Sequence, residues 1–304
     1  MTSTNWAYAS NYLVYSAMIV YTLAMFAAAL EVAMNVKGAK VLVTPSGEGA
    51  PSTDDAKSER WGRIAIALTS LAFVLHLVAV IARGISAHRV PWGNMYEFST
   101  TGSVAVTGMF LLLLRRHSLR WLTLVVTFAV LMTLGTAITL LYRPSAPLVP
   151  ALKSTWLVIH VSAAVISGGV FLLANAVAAA YLYMDRVESR GPRPAWALKI
   201  PSLEALDRLC YRLVAFVFPL WTFAVIAGAI WAESAWGRYW GWDPKETWAF
   251  ITWVAYAAYL HARATAGWKG RRAAWLCLLA GSSFLFNYVY VNVWGTGKHT
   301  YSGL

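Results

Sequence analysis

The sequence predicts an all-α membrane protein, a polytopic bundle of about eight transmembrane helices with no soluble domain. Of the 304 residues, 59% are hydrophobic and only 12% are charged, and the mean hydropathy is +0.55. Soluble globular domains contain about 25% charged residues, so this composition excludes an ordinary soluble domain. Apolar segments that approach or exceed the roughly 20 residues needed to cross a bilayer recur along the whole chain.

The apolar segments are eight in number and are separated by polar connections. The third and seventh are shorter than the rest, and we interpret both as spans that flanking residues extend. No Lys or Arg precedes residue 12, so the positive start of a cleavable signal peptide is missing and the first segment is expected to remain as a helix. The predicted segments cover residues 12–34, 64–82, 100–114, 121–141, 155–183, 213–231, 248–262 and 273–293.

The basic residues indicate the topology. A net charge of +12 could suggest a nucleic-acid partner, but most Lys and Arg fall in every second connection, as the positive-inside rule requires of a membrane protein. We therefore predict a multi-pass protein of the plasma (inner) membrane, with both termini outside and no nucleic-acid partner. The residues assigned to the inner side are Lys37, Lys40, Arg60, Arg63, Arg115, Arg116, Arg120, Arg186, Arg190, Arg193, Arg208, Arg212, Lys269, Arg271 and Arg272.

Several reaction classes find no support in the sequence. Cys210 and Cys277 lie far apart, with no second thiol near either, so we exclude a C-x-x-C redox pair and predict structural thiols. The polar connectors at residues 37–59 and 185–209 contain no recognisable chemistry, and the first reads as a flexible loop. No Ser-His-Asp arrangement, paired carboxylates or Gly-rich phosphate loop indicates a hydrolase or a nucleotide enzyme.

The outer connection between the sixth and seventh segments, residues 231–248, contains five of the 16 tryptophans. Tryptophans anchor membrane proteins at the interface, which explains Trp231 and Trp248 at the two ends of this stretch. Anchoring explains the three tryptophans between them less well. We therefore interpret residues 231–248 as a functional loop within a single membrane domain that covers residues 1–304.

The spacing inside this loop predicts an aromatic platform. Trp236 and Trp240 are four residues apart and would share one face of a short helix, which Pro244 would end just beyond Trp242. A porphyrin could stack on that face while a basic side chain meets a propionate. From the residues alone, haem binding and plain membrane anchoring are both open. The basic candidates are Arg238 and Lys245.

Residues 236–246 read WGRYWGWDPKE, which resembles the WWD signature of haem-handling proteins. Three further stretches resemble the CcsA/ResC subunit of the System II cytochrome c synthases within that superfamily. They read HRVPWGNMYEF at residues 88–98, LKSTWLVIHV at 152–161 and VNVWGTGKHTYSGL at 291–304. The resemblance covers most of the chain and is least distinctive in the N-terminal third.

That resemblance implies a function in cytochrome c biogenesis. The protein would hold non-covalent haem b (iron protoporphyrin IX) and present it at the outer face for thioether attachment to a CxxCH apocytochrome. It implies a ResB/CcsB-type membrane subunit as partner and an extracytoplasmic thiol reductant. The chain would contribute positioning and no catalytic acid, base or nucleophile. Within the loop the residues placed against haem are Trp236, Gly237, Arg238, Trp240, Trp242 and Asp243, although Asp243 is also a candidate helix cap.

Imidazole is a common ligand of haem iron, and the resemblance assigns three histidines. His160, at the start of the fifth segment, and His299, in the outer tail, match the external haem ligands of the family. His261, near the inner end of the seventh segment, matches a ligand embedded in the membrane, whose second ligand would come from the partner. A structural histidine is the alternative for each of the three. His76 lies at a different depth in the membrane from His261, so the two are not expected to bind one haem. We expect His76 to be buried and hydrogen-bonded.

The remaining predictions are less specific. His88 and Glu97 are expected to belong to a lid or a packing element, and His117 to an ordinary interfacial turn. Two other functions stay open: a System I-type WWD protein that delivers haem to a chaperone, and a non-haem transporter whose tryptophans form only an interfacial belt.

Overall fold

A computed structural model describes residues 2–41, 53–145 and 152–299 of the chain. All regular structure in these ranges is helical, which confirms the predicted all-α class. Two short 3-10 turns, Arg120–Leu122 and Ala195–Ala197, precede the fourth and sixth long helices. The long helices are α1 (Ser3–Val41), α2 (Thr53–Ala87), α3 (Met95–Leu114), α4 (Thr123–Thr139), α5 (Thr155–Glu188), α6 (Leu203–Trp236), α7 (Pro244–Ala264) and α8 (Arg271–Trp294).

Seven of these eight described helices are long and apolar enough to cross a membrane, so the protein is a multi-pass membrane protein. The remaining helix, α7, has 21 residues, but its mean hydropathy is too low for it to be counted as a membrane span. It contains the predicted seventh apolar segment, one of the two short ones. Helices also extend beyond the predicted apolar segments, because polar residues continue them at both ends. The described ends of the connector predicted at residues 37–59 are thus helical, and its centre lies outside the described residues.

The centre of the bundle is α5, which packs against α3, α6 and α8. Glycines let neighbouring helices approach it closely, as is usual in membrane bundles. A Cβ at Gly169 would lie 3.3 Å from the backbone nitrogen of Val106 on α3. Next to this contact, Phe171 stacks on Tyr256 of α7 with ring centroids 3.9 Å apart. The tightly packed centre holds fixed the helix ends that build the site.

The antiparallel order brings alternate helix ends to one end of the bundle, which we call the site end. Ser3 at the start of α1 forms a hydrogen bond with His88 just beyond α2, with 3.1 Å between Oγ and Nε2. Asn11 of α1 donates to the hydroxyl of Tyr142 beyond α4 at 3.0 Å. The starts of α1, α3, α5 and α7 and the ends of α2, α4, α6 and α8 therefore lie together.

A buried ion cluster fixes the connection between α2 and α3 at the site end. The Glu97 carboxylate accepts hydrogen bonds from Arg83 Nε at 3.0 Å, Arg89 Nη1 at 2.6 Å and the Gly93 backbone N–H at 2.8 Å. Glu97 is completely buried, so three donors replace the water that an ionised carboxylate would otherwise bind. Of the two roles predicted for this stretch, lid or packing element, these contacts describe packing.

Cys210 of α6 and Cys277 of α8 lie side by side in the core, with 3.5 Å between their sulfur atoms. The Tyr259 hydroxyl donates to the Cys210 sulfur at 3.7 Å. Both cysteines are buried, and no disulfide joins them. The prediction that neither has a second thiol nearby is wrong, because separation along the chain does not limit contact between two helices of one bundle.

Candidate functional site

The candidate site is a group of histidine, tryptophan and aspartate side chains at the site end. His160 lies in the second turn of α5, Trp231 and Trp236 in the last turns of α6, and His299 in the segment that follows α8. Asp243 directly precedes α7. The structure thus brings together the two predicted outer histidines with two tryptophans and the aspartate of the loop.

His160 is oriented by the facing helix. Its Nδ1 lies 2.7 Å from the carbonyl oxygen of Ala224 in α6. A carbonyl only accepts, so Nδ1 must donate and Nε2 is the unprotonated nitrogen. Gly228 leaves the space for this ring, because a Cβ there would lie 2.7 Å from the imidazole Nδ1 and Cε1. The imidazole is nearly parallel to the buried Trp231 indole, with centroids 6.3 Å apart and 12° between the planes.

His299 is oriented by a carboxylate. Its Nδ1 lies 2.9 Å from Asp243 Oδ1, and because a carboxylate oxygen accepts, Nδ1 donates and Nε2 is the nitrogen outside this bond. The ring meets Trp236 edge-on at 4.7 Å and Trp231 at 5.8 Å between centroids. Both imidazoles therefore lie within 6.3 Å of the same Trp231 indole.

Asp243 accepts hydrogen bonds both from His299 and from backbone N–H groups. Its other oxygen, Oδ2, accepts the backbone N–H of Lys298 at 2.6 Å, and Oδ1 also accepts the backbone N–H of Lys245 at 3.2 Å. Burial raises the pKa of Asp243, but the hydrogen bond and charge of His299, together with the two N–H groups, bring the pKa below its ordinary value of 3.8. Asp243 is thus the cap of α7, as the sequence predicted, and also the acceptor that orients His299.

The predicted short helix with Trp236 and Trp240 on one face is wrong. Gly237, with φ of 69°, ends α6 directly after Trp236, because a left-handed conformation stops a helix and suits glycine. Pro244 does not end a helix but begins α7, at the first helical position where its missing N–H costs nothing. The sequence contained this signal as Asp-Pro-Lys-Glu, a helix cap followed by its reciprocal glutamate.

Glu246 completes that capping box and orders the turn between the helices. Its Oε2 accepts the backbone N–H groups of Gly241 at 2.8 Å and Asp243 at 3.1 Å. Residues 231–248 therefore consist of the last turns of α6, a non-helical turn at residues 237–243 and the first turns of α7. Two helix ends, and not a free loop, position the tryptophans.

The five tryptophans of this stretch divide into separate groups. Trp240 and Trp242 lie away from the imidazoles and meet edge-on at 5.8 Å, next to Phe250 on the surface of α7. Trp242 is 67% exposed, which suits an interfacial position better than a closed ligand site. Trp248 packs on Phe286 of α8 with centroids 4.1 Å apart. Trp231 and Trp236 contact the candidate ligands, and Trp240 lines one of the cavities that His160 and His299 also line.

Two adjoining cavities, of about 180 and 120 Å³, surround the imidazoles. Their shared lining residues are Phe98, His160, Trp231, Lys245 and His299. Ligand pockets begin near about 300 Å³, so a macrocycle would have to occupy both cavities and part the side chains between them. The sequence analysis missed Trp231 as a site residue, because it expected only membrane anchoring there.

The remaining histidines lie elsewhere. His261 is exposed on the last turns of α7, at the end of the bundle opposite the site. Within the described ranges no three His, Cys, Asp or Glu side chains cluster as a metal site would require. His76 is buried as predicted, and its ring lies beside the backbone of Thr100, although neither ring nitrogen reaches strict hydrogen-bond geometry among the described residues. It meets the Tyr21 ring edge-on at 6.0 Å.

The donor set at the site end suits haem. Both imidazoles donate from Nδ1 to a fixed acceptor, which is the arrangement that metal-ligating histidines show in proteins. Indole and phenyl side chains line the space beside them, as a flat aromatic macrocycle requires.

Comparison with known proteins agrees with this description. Residues 92–299 match the family described as Cytochrome C assembly protein, a range that includes every residue of the site. The cytochrome c biogenesis protein CcsA of Gloeothece citriformis is 38% identical over 271 residues, which cover 72% of this chain and 81% of that protein. CcsA of Synechococcus sp. (strain JA-3-3Ab) is 34% identical over 79% of this chain and 89% of its own length.

Two further similarities extend over less of the related protein. CcsA of Guillardia theta is 42% identical over 177 residues, 53% of this chain and 59% of that protein. A solved structure described as cytochrome c haem lyase CcmF superposes with a TM-score of 0.62 at 18% identity, over 95% of this chain and 50% of that one. This second similarity concerns the fold.

Proposed function

Because the chain belongs to the cytochrome c assembly protein family, as a CcsA-type subunit of cytochrome c biogenesis, we propose that it binds haem between His160 and His299. Held there as non-covalent haem b, the group is presented to an apocytochrome with a CxxCH segment for thioether formation. The family assignment favours this function over a non-haem transporter. The observation that carries the proposal is the pair of imidazoles whose Nδ1 atoms both donate to fixed acceptors.

The contribution of the chain is positional. Ala224 and Asp243 fix the rings of His160 and His299, so that both Nε2 atoms are available in the tautomer that binds iron. Trp231 packs against the ring of His160 and Trp236 against that of His299. When bound, haem supplies two vinyl groups, and each substrate thiol adds its sulfur and its proton across one carbon–carbon double bond. This addition would need no acid, base or nucleophile from the chain, whose His160 and His299 would hold the group.

Within this proposal the site end faces the outside of the plasma membrane. The opposite end then lies in the cytoplasm, where the basic connections belong by the positive-inside rule. A ResB/CcsB-type membrane subunit grips the apocytochrome, since the described part of this chain has no large domain outside the bundle. An extracytoplasmic thiol reductant keeps the substrate cysteines reduced.

A test of this function is purification of the chain with its partner from haem-replete cells. We expect a low-spin bis-imidazole spectrum in the reduced state, all haem released by acid extraction, and maturation of a CxxCH reporter cytochrome only when both subunits are expressed. A folded but colourless complex would contradict haem binding. Maturation of the reporter by this chain in cells without any partner would contradict the two-subunit arrangement.

His261 is proposed as a second haem ligand, whose axial partner comes from the other subunit. Its exposure on α7 supports this, because an exposed imidazole within a membrane protein is accessible to a neighbouring chain. His261→Ala is expected to deplete haem throughout the complex. The matched control His76→Ala removes a buried imidazole that contacts only this chain, and should leave most of the haem in place. Equal haem loss in both variants, by pyridine haemochrome assay, would remove His261 from the proposal.

A further inference from the structure

We propose that Lys245 forms an ion pair with a propionate of the haem at this site, an inference that rests on the proposed function. Two residues of the tryptophan-rich stretch are candidates for binding a ligand carboxylate, and the structure separates them. Lys245 lies in the first turn of α7 and lines both cavities beside the imidazoles. Arg238 lines neither of them, and its guanidinium packs over Gly241, where a Cβ would overlap it.

The hydrogen bond described for the Lys245 ammonium goes to a neutral group, and the negative charge of Asp243 acts on the ammonium from beyond 4.0 Å. Its Nζ donates to the backbone carbonyl of Asn287 in α8 at 3.2 Å. No carboxylate lies within 4.0 Å of it among the described residues. An ammonium removed from water is costly without an anion beside it, so an anionic ligand in the cavities would offset a cost that the protein bears.

The two neighbouring carboxylates, Asp243 and Glu246, accept hydrogen bonds from groups other than the Lys245 ammonium. Asp243 accepts from His299 Nδ1 and from the backbone N–H groups of Lys298 and Lys245. Glu246 directs Oε2 to the backbone N–H groups of Gly241 and Asp243. Among the described residues neither carboxylate lies within 4.0 Å of the ammonium, although Oε1 of Glu246 is buried without a hydrogen-bond partner. A carboxylate that reaches Lys245 therefore comes from the ligand.

The position of Lys245 is fixed before any ligand binds. Its backbone carbonyl accepts the side-chain N–H of Asn287 at 3.2 Å, which together with the Nζ bond clamps the first turn of α7 onto α8. Pro244 and the capping box fix the same turn from the other side. A preset cation loses little further conformational freedom when it binds, and it selects the orientation in which a propionate points toward α8.

The proposal predicts that the effect of Lys245 depends on the ligand's carboxylates. The wild-type complex and its variants, prepared from haem-limited cells, are titrated with haem and with haem dimethyl ester, in which both propionates are neutral. Lys245→Met is expected to weaken haem binding by about tenfold or more, the size of a lost charged hydrogen bond, and to leave ester binding unchanged. Lys245→Arg should restore haem binding, and Arg238→Met should weaken haem binding less than Lys245→Met does.

The possible outcomes separate this inference from the function on which it rests. Equal weakening of haem and ester by Lys245→Met would mean that Lys245 only packs the site, and would overturn the ion pair. A larger effect of Arg238→Met on haem would assign the propionate to Arg238 instead. If the folded wild-type complex binds neither haem nor its ester, the proposed function itself fails.

Discussion

Replacement of His299 by glycine is expected to abolish covalent haem attachment to an apocytochrome, and added imidazole is expected to restore part of it. The glycine leaves a space of about the size of an imidazole beside Trp231 and Trp236, and a free imidazole can fill it. His160→Gly should behave in the same way, because its ring occupies an equivalent position against α6. The measurement is the yield of a reporter cytochrome by haem staining, with and without imidazole.

Glycine variants offer a control that leaves both ligands in place. Gly228→Ala puts a methyl group 2.7 Å from the His160 ring and should displace the imidazole, so that assembly falls while His160 itself is unchanged. Gly135→Ala, in α4, meets nothing within 4 Å and should assemble normally. Full assembly by the His299→Gly variant without imidazole would remove His299 from the site.

Asp243→Ala is expected to reduce haem affinity by about 10–100-fold, because the carboxylate that orients His299 is lost. The same change removes the cap of α7 and should lower the free energy of unfolding by about 1 kcal/mol. Asp243→Asn keeps a capping oxygen but loses the charge, so it should recover stability more fully than haem affinity. Titration with haem and thermal unfolding measure the two effects separately, and an equal loss of both in Asp243→Asn would contradict the orienting role.

The lowered pKa of Asp243 sets the pH dependence of this contribution. Because the pKa is lower in the folded protein than in the unfolded chain, the ionised carboxylate stabilises the fold at pH values above the ordinary value of 3.8. That stabilisation is lost as the pH falls below this value and through the folded pKa. Wild type and Asp243→Ala should therefore converge in stability in strongly acidic buffer.

The fold could be predicted from composition and hydropathy, because a bilayer requires long apolar helices whatever their partners. His160 and His299 were also accessible to prediction, since the antiparallel order of the helices places both at the same end. In the structure both imidazoles lie beside one indole, that of Trp231, which the sequence analysis had not included in the site. Their role as haem ligands remains a prediction.

The sequence-based predictions that were wrong depend on local backbone geometry and on packing between helices. Gly237 takes a positive φ and ends α6, which separates Trp236 from Trp240 although both lie in one short stretch. The contact of Cys210 with Cys277 depends on the rotation of α6 against α8, which no spacing within either helix specifies. The sequence offered Lys245 and Arg238 as equivalent basic candidates. In the structure Lys245, which lies in the capped first turn of α7, lines the cavities and Arg238 does not.

One imidazole of the site comes from the beginning of α5 and the other from beyond the end of α8. The site can therefore be completed only late in the synthesis and membrane insertion of the chain. A ribosome delivers α5 and α6 to the membrane first, so His160, Ala224 and Trp231 can meet while the rest of the chain is still being made. His299 and its carboxylate join only after α7 and α8 have been inserted. Under the proposed function, a haem site with both imidazoles would therefore form only in chains whose insertion has reached residue 299.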